Sequence, residues 1–270
     1  MRTCSAICCV VRTRMTKMQG RRALITGATS GLGEAIARRL VQEGAKVAIT
    51  GRRKERLEAL AAELGGLAVV CDHTRSADNE RALEGATAWL GGLDTLVLNA
   101  GIIGFDGALE SKPEVFQRML DVNVVATYDV LRLATPHLVR AADAGDDASV
   151  VAVSSVASIR PYPNLLGYCV SKAAVDMLVQ SSAIELAPKK VRVNAINPGV
   201  VVTELHTTAG LDEAQYAAFI ERSKGTHPIG RPGTALEVAA LAAFLLSSEA
   251  GWITGALHSI DGGRALTSLR

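Results

Sequence analysis

Tyr168 and Lys172 stand four residues apart in Tyr168-Cys169-Val170-Ser171-Lys172, with Ser155 thirteen residues upstream. On a helix, positions i and i+4 share a face, so the lysine ammonium can approach the tyrosine phenol. A free phenol, with a pKa of ~10, is a poor base at neutral pH. A fixed positive charge beside it favours phenolate, so the pair can exchange a proton with an alcohol or a carbonyl oxygen. The same spacing also occurs on ordinary amphipathic surface helices, and the rest of the chain has to decide between the two.

From Arg21 onward, short β-branched runs alternate with amphipathic helical stretches, the pattern of βαβ units and a parallel sheet. The pattern predicts strands over 22–26, 46–50, 67–71, 95–98, 149–154, 192–196 and 257–260. It predicts helices over 33–43, 54–64, 76–89, 113–142, 167–186 and 235–247, with a shorter one over 212–222. No linker, repeat or low-complexity segment divides the chain after residue 20. The expected fold is α/β: one Rossmann-like domain over 20–270, a doubly wound parallel sheet of about seven strands flanked by helices. Ligands of such sheets bind outside the carboxyl ends of the strands, where the strand order reverses.

The bulk properties fit that fold and narrow the partners. The 270 residues are 49% apolar with few aromatics, as Val/Ile strands under Ala/Leu helices require. A net charge of +2 gives no reason to expect nucleic acid. No run reaches the ~20 apolar residues of a membrane span. Cysteines at 4, 8, 9, 71 and 169 form neither a disulfide framework nor a zinc pattern, and the five His are scattered, so no metal is expected. Reduced thiols and a cytoplasmic location follow as expectations. Residues 1–18 are basic and acid-free, and 1–19 are read as a disordered or targeting-like extension, organelle targeting and an upstream translation start being the alternatives.

The first predicted strand runs into Thr26-Gly27-Ala28-Thr29-Ser30-Gly31-Leu32-Gly33. Glycines at 27, 31 and 33, between a strand and a helix N-terminus, let backbone N–H groups approach a pyrophosphate. The spacing is G-x-x-x-G-x-G rather than the commoner G-x-G-x-x-G. The second strand ends at Gly51-Arg52-Arg53, where an acid would bind the ribose 2′-hydroxyl of NAD. Guanidinium groups would instead bind a 2′-phosphate, so NADP(H) is favoured over NAD(H), with Arg52 ahead of Arg53 because it leaves the strand first. A basic cluster at a helix start is the plain alternative. Asp72 ends the third strand where adenine should lie, although an Asp there is as often a turn residue. Leu98-Asn99-Ala100-Gly101 ends the fourth with small residues, and Asn197-Pro198-Gly199-Val200-Val201-Val202-Thr203 follows the sixth with a sharp turn and a hydroxyl able to read a carboxamide. Asn123 lies inside a long helical stretch, where a polar residue is often merely tolerated.

Taken together, in this order and spacing, these motifs with Ser155 and Tyr168/Lys172 resemble the short-chain dehydrogenase/reductase family. The chain is most similar to its single-domain branch, which holds 3-oxoacyl-carrier-protein reductases and related carbonyl reductases. Gly230-Arg231-Pro232-Gly233, Ile253-Thr254-Gly255 and Ile260-Asp261-Gly262-Gly263 look like that branch too. Leu98 departs from its frequent N-N-A-G, and Ser158 stands where Gly often follows the catalytic serine.

The resemblance implies hydride transfer between NADP(H) and a small carbonyl or secondary alcohol. It implies Tyr168 as acid/base, Lys172 lowering its pKa and binding the nicotinamide ribose, Ser155 on the substrate oxygen, and Asn123 holding a water of a proton relay. Gly27, Ser30, Gly31, Leu32 and Gly33 would cradle the phosphates, Asp72 would meet adenine, and Asn99, with Ala100 and Gly101, would lie near the ribose. Pro198, Gly199, Val201 and Thr203 would shape the carboxamide loop. Substrate choice is expected in 158–166 and 204–227, with Arg160 a candidate for an acidic partner, and a homotetramer or homodimer is implied. The competing readings are a catalytically idle NADP-binding sensor or scaffold, and a lyase or epimerase, which would need a substrate domain after the sheet.

Overall fold

The computed structural model describes residues 17–109 and 111–267. The strands are β1 (Arg22–Ile25), β2 (Lys46–Gly51), β3 (Leu67–Val70), β4 (Thr95–Leu98), β5 (Ala148–Val153), β6 (Val191–Pro198) and β7 (Leu257–Ile260). They form one sheet in the order β3-β2-β1-β4-β5-β6-β7, parallel throughout. The order reverses between β1 and β4, which opens a crevice at their carboxyl ends.

The helices are α1 (Gly31–Gln42), α2 (Lys54–Leu64), α3 (Ser76–Leu90), α4 (Pro113–Leu120), α5 (Ala126–Asp143), α6 (Leu166–Leu186), α7 (Leu205–Thr208), α8 (Glu213–Thr226) and α9 (Ala235–Leu246). Because strand side chains alternate, Leu24 and Ile25 enter opposite cores. One core joins Ile25, Ile36, Leu40 and Ile49 to α9 through Val238 and Leu245. The other joins Leu24, Leu96 and Val150 to Leu83 of α3, Leu138 of α5 and Val175 of α6. The sheet is therefore covered on both faces, which is why its strands read as near-continuous apolar runs.

The expected fold class holds, with local differences. The stretch 113–142 is not one regular helix: a π-helical turn, Asp121–Val125, separates α4 from α5 and carries the buried Asn123. Such a turn inserts a residue into the helical ladder and re-aims its side chains. The four-residue α7 carried no periodic signal and went unpredicted. Of the extension expected over 1–19, residues 1–16 lie outside the described residues, but Met18 is fully buried in the α1 core and its N–H bonds the Glu43 carbonyl. Lys17 also bonds Glu43 and Glu249, so the described end of that stretch is tied to the domain.

Candidate active site

A cleft of about 580 Å³ runs along the carboxyl ends of the strands, from the glycine turn to Tyr168. The 26–33 turn is fastened before anything enters it. Thr26 Oγ1 accepts from the N–H groups of Asn99 and Ala100 at 2.9 and 3.1 Å, and Asn99 Nδ2 donates to the Thr26 and Gly27 carbonyls at 3.0 Å each. Gly27 has φ +66°, and a Cβ there would come within 2.8 Å of Ala100 Cα. At Gly33 a Cβ would meet Asn99 Nδ2 at 2.4 Å. The glycines therefore let β1 and β4 close up at the crevice, and α1 then presents its free N–H groups to it. Asn99 lines the cleft, and its side-chain N–H groups fasten the glycine turn.

At the end of β2 the two arginines divide. Arg53 donates to Thr29 Oγ1 and Ser30 Oγ and pairs with Glu204 at 3.1 Å. Arg52 is exposed, lines the cleft and makes no hydrogen bond or ion pair to a described residue. The guanidinium at 53 is thus a brace, and the one at 52 remains available to an anion. Asp72 also lines the cleft, with Oδ1 accepting from Thr74 N and Oγ1. Burial pushes its carboxyl up, but these bonds and the charge of Arg52 outweigh that and hold it below the ordinary value.

At the other end, β5 delivers Ser155 and α6 delivers Tyr168 and Lys172, all less than a tenth exposed. Ser155 has extended backbone and starts a 3-10 turn, Val156–Ser158, its Oγ accepting from Ala157 N at 3.1 Å. Its hydroxyl also hydrogen-bonds the Tyr168 phenol, which sets the two side by side in the site. The N-terminus of α6 is set by Asp106, whose carboxylate accepts from Gly167 N at 3.2 and 3.3 Å and from Ser111 Oγ at 2.8 Å. Lys172 Nζ donates to the Val153 carbonyl at 2.9 Å and lies 5.8 Å from the centre of the Tyr168 ring.

Burial pushes the Tyr168 phenol up to about 12, opposed by its hydrogen bond with Ser155. Burial likewise brings Lys172 down to about 8, opposed by the charge of Asp176. Desolvation is thus the largest influence on both groups, and it favours the neutral phenol. Asn123 is fixed by its side chain. Its Oδ1 accepts from Ile102 N at 2.8 Å, and its Nδ2 donates to the Ile102 carbonyl and Ser171 Oγ at 2.9 Å each. It clamps the segment after β4 to α6.

Pro198, Gly199, Val201 and Thr203 line the cleft, as do Leu32 and Gly101. The loop is pinned by His227, which went unnoticed in the sequence because an isolated His carries no spacing signal. Its Nε2 accepts from Val200 N at 3.2 Å while Nδ1–H donates to the Ser223 carbonyl. Of the two expected specificity segments, 204–227 contributes Glu204, Leu205, Thr208 and Ala209 to the cleft, whereas 158–166 contributes none. Ile102, Ile103, Val115 and Met119 line it instead. Arg160 is not a free cation: it donates to the Arg264 and Ala265 carbonyls.

The fit to a dinucleotide is direct, with a glycine turn opening onto a helix N-terminus, a cleft continuing past small residues to a buried Tyr/Lys pair, and an unpaired arginine at its far end. Comparison with known proteins agrees with this geometry. Residues 27–265 match the family model described as enoyl-(acyl carrier protein) reductase. The chain is 35% identical to dehydrogenase/reductase SDR family member 4 of Sus scrofa, covering 98% of this chain and 96% of that protein. It is 34% identical to glucose 1-dehydrogenase of Gluconobacter oxydans, covering 93% and 94%. Among solved structures, a 3-ketoacyl-(acyl-carrier-protein) reductase from Brucella melitensis complexed with NADH superposes with a TM-score of 0.84 at 39% identity, covering 92% and 99%. The chain belongs to the short-chain dehydrogenase/reductase family of oxidoreductases.

Proposed function

We propose that this oxidoreductase interconverts a small carbonyl compound and a secondary alcohol with NADP(H), using Tyr168 as the acid/base. The observation that carries the reading is the burial of Tyr168 and Lys172 beside Ser155 at one end of a cleft whose other end is a glycine turn. When bound, NADP(H) supplies or accepts the hydride. A phenol near 12 is protonated at neutral pH, so it stands ready as the acid for reduction. Ser155 has one hydrogen to donate to the substrate oxygen, which fixes that oxygen against the phenol. Lys172 holds one bond to Val153 and directs its remaining donors toward the cleft, where they hold the nicotinamide ribose and steady a developing phenolate. Ile102, Ile103, Val115, Met119 and Leu205 give the cleft an apolar wall suited to a compact substrate body, with Arg118 and Glu204 as charged groups on the same lining.

The preference for NADP(H) rests on Arg52, which lines the cleft at the end of β2 without a hydrogen bond or ion pair to a described residue, a site suited to a 2′-phosphate. Self-association as a homodimer or homotetramer is part of the same reading. Val170, Met177 and Ile184 form an exposed apolar stripe at seven-residue spacing along α6, and Val125 and Tyr128 near the start of α5 are exposed as well.

The test is a panel of carbonyls and alcohols assayed with both coenzymes, for wild type and Tyr168→Phe. Removing the acid should cost about 10²–10⁴-fold in carbonyl reduction while NADPH binding, followed by its fluorescence, stays close to wild type. Retention of more than a tenth of wild-type turnover would sink the acid/base role. Faster turnover with NADH would overturn the Arg52 assignment alone.

A further inference from the structure

Three polar side chains, Tyr168, Lys172 and Asp176, succeed one another along α6, each less than a tenth exposed. The spacing i, i+4, i+8 puts them on one face, yet the reading above uses only the first two. Asp176 is held in place from another element. Asn197, near the end of β6, donates Nδ2 to Asp176 Oδ2 at 2.8 Å and to Ser158 Oγ at 2.7 Å, and the same nitrogen lies 3.2 Å from the Ser155 carbonyl. One amide thus ties the acid to the turn that carries Ser155.

The pair is also incompletely satisfied. Asp176 Oδ1 and Asn197 Oδ1 are both buried and receive no hydrogen bond among the described residues. Orphan acceptors are costly in apolar surroundings. Beside a buried cation they are a source of favourable potential instead. Lys172 needs one, because its ammonium is buried and its hydrogen bond goes to the neutral Val153 carbonyl. Gly101, after β4, lies close to the ammonium and brings no charge, and Tyr168 faces it from its own helix. Asp176 is the carboxylate whose field reaches it, without a direct ion pair.

We propose that Asp176 is a positioning residue: held by Asn197, it is the through-space counter-charge that keeps the Lys172 ammonium charged and oriented beside Tyr168. The proposal rests on the role given to Lys172 above. Asp176 itself touches neither substrate nor coenzyme, and it acts through the lysine.

Asp176→Asn separates charge from structure. An asparagine there can still accept from Asn197 Nδ2, and its own amide can donate to the orphan Asn197 Oδ1, so the fold keeps its bonds while the charge is lost. The expected result is a downward move of about one pH unit in the alkaline limb of kcat/KM for carbonyl reduction, as the lysine loses its proton earlier. A limb unmoved from wild type overturns the proposal. Thermal melts supply a readout independent of turnover. In Lys172→Met, Asp176 becomes an uncompensated buried acid, so D176N should raise Tm more in that background than in wild type, a D176N that fails to fold alone counting the same way. An equal effect in both backgrounds overturns the proposal. Undiminished turnover by K172M would instead remove the lysine's role, and the proposal with it.

Discussion

At the amino ends of the central strands, Arg21, Arg22 and Arg192 are buried or half-buried and find abundant partners. Arg21 meets Asp94, Asp147 and Ser149, and Arg22 meets Asp94, Asp146 and the Gly91 carbonyl. Arg192 bonds Asp147 and the carbonyls of Leu245, Ser247 and Ala250. At the carboxyl ends, Lys172 has one neutral acceptor, Arg52 none, and two of the three orphaned buried side-chain atoms among the described residues belong to Asp176 and Asn197. The same chemical groups are saturated at one end of the sheet and left short of partners at the other. Charges fully used by the protein cement it, and charges left short are free to respond to a ligand, so stability and chemistry are separated along each strand.

Breaking the saturated end should show the largest effect on folding. Asp94 takes both Arg21 and Arg22, as well as the Arg22 N–H, and is almost wholly buried. Asp94→Ala leaves two arginines partly uncompensated and should cost about 3–5 kcal/mol in urea unfolding, with kcat of the folded fraction unchanged. A stable Asp94→Ala protein with impaired turnover would reverse the division between the two ends.

Titrating the unsaturated end should show a smaller effect with a distinct pH signature. Lys172 lies at about 8 in the folded chain against an ordinary 10.5. Between those values the folded state binds fewer protons than the unfolded, so its stability rises with pH across that window, and below about 8 the cost of the buried ammonium is fully present. Relative to Lys172→Met, wild type should gain on the order of 2–3 kcal/mol between about pH 7.5 and about 10. Parallel stability curves for the two proteins would show that the ammonium carries no burial cost.

The sequence showed the sheet, the glycine turn and the Tyr/Lys pair because each is written locally, as β-branched runs, glycines at fixed offsets and an i, i+4 spacing. It was silent where a contact comes from far along the chain. Asn99 and Arg53 look like ligand-readers in isolation, but the turn they brace lies 66 or more residues upstream of Asn99 and about 20 before Arg53. Arg160 is consumed by carbonyls more than a hundred residues away. Asp176 was legible as the third member of a helical stripe, but its significance depends on Asn197, and no local pattern links the two.

His227 offers the finest test of the contrast, because it is a saturated group placed at the unsaturated end. Its ring is neutral by geometry, accepting from Val200 N–H through Nε2 while donating to Ser223 through Nδ1. Burial lowers its pKa, with Arg264 acting in the same direction and Asp261 and the Ser223 bond opposing. Below the ordinary 6.5 the unfolded state takes up the proton first, so this contribution to stability is present at neutral pH and lost as pH falls. Protonation would also put a donor opposite the Val200 N–H and release the loop that lines the cleft. His227→Leu strands that N–H and should cost about 1–3 kcal/mol, raising KM for the coenzyme more than it lowers kcat. His227→Gln, which can restore an acceptor, should recover most of the coenzyme KM without the acid sensitivity. If Leu and Gln behave alike, the imidazole is only filling space, and the cofactor loop is held by Val201 against Gly233 instead.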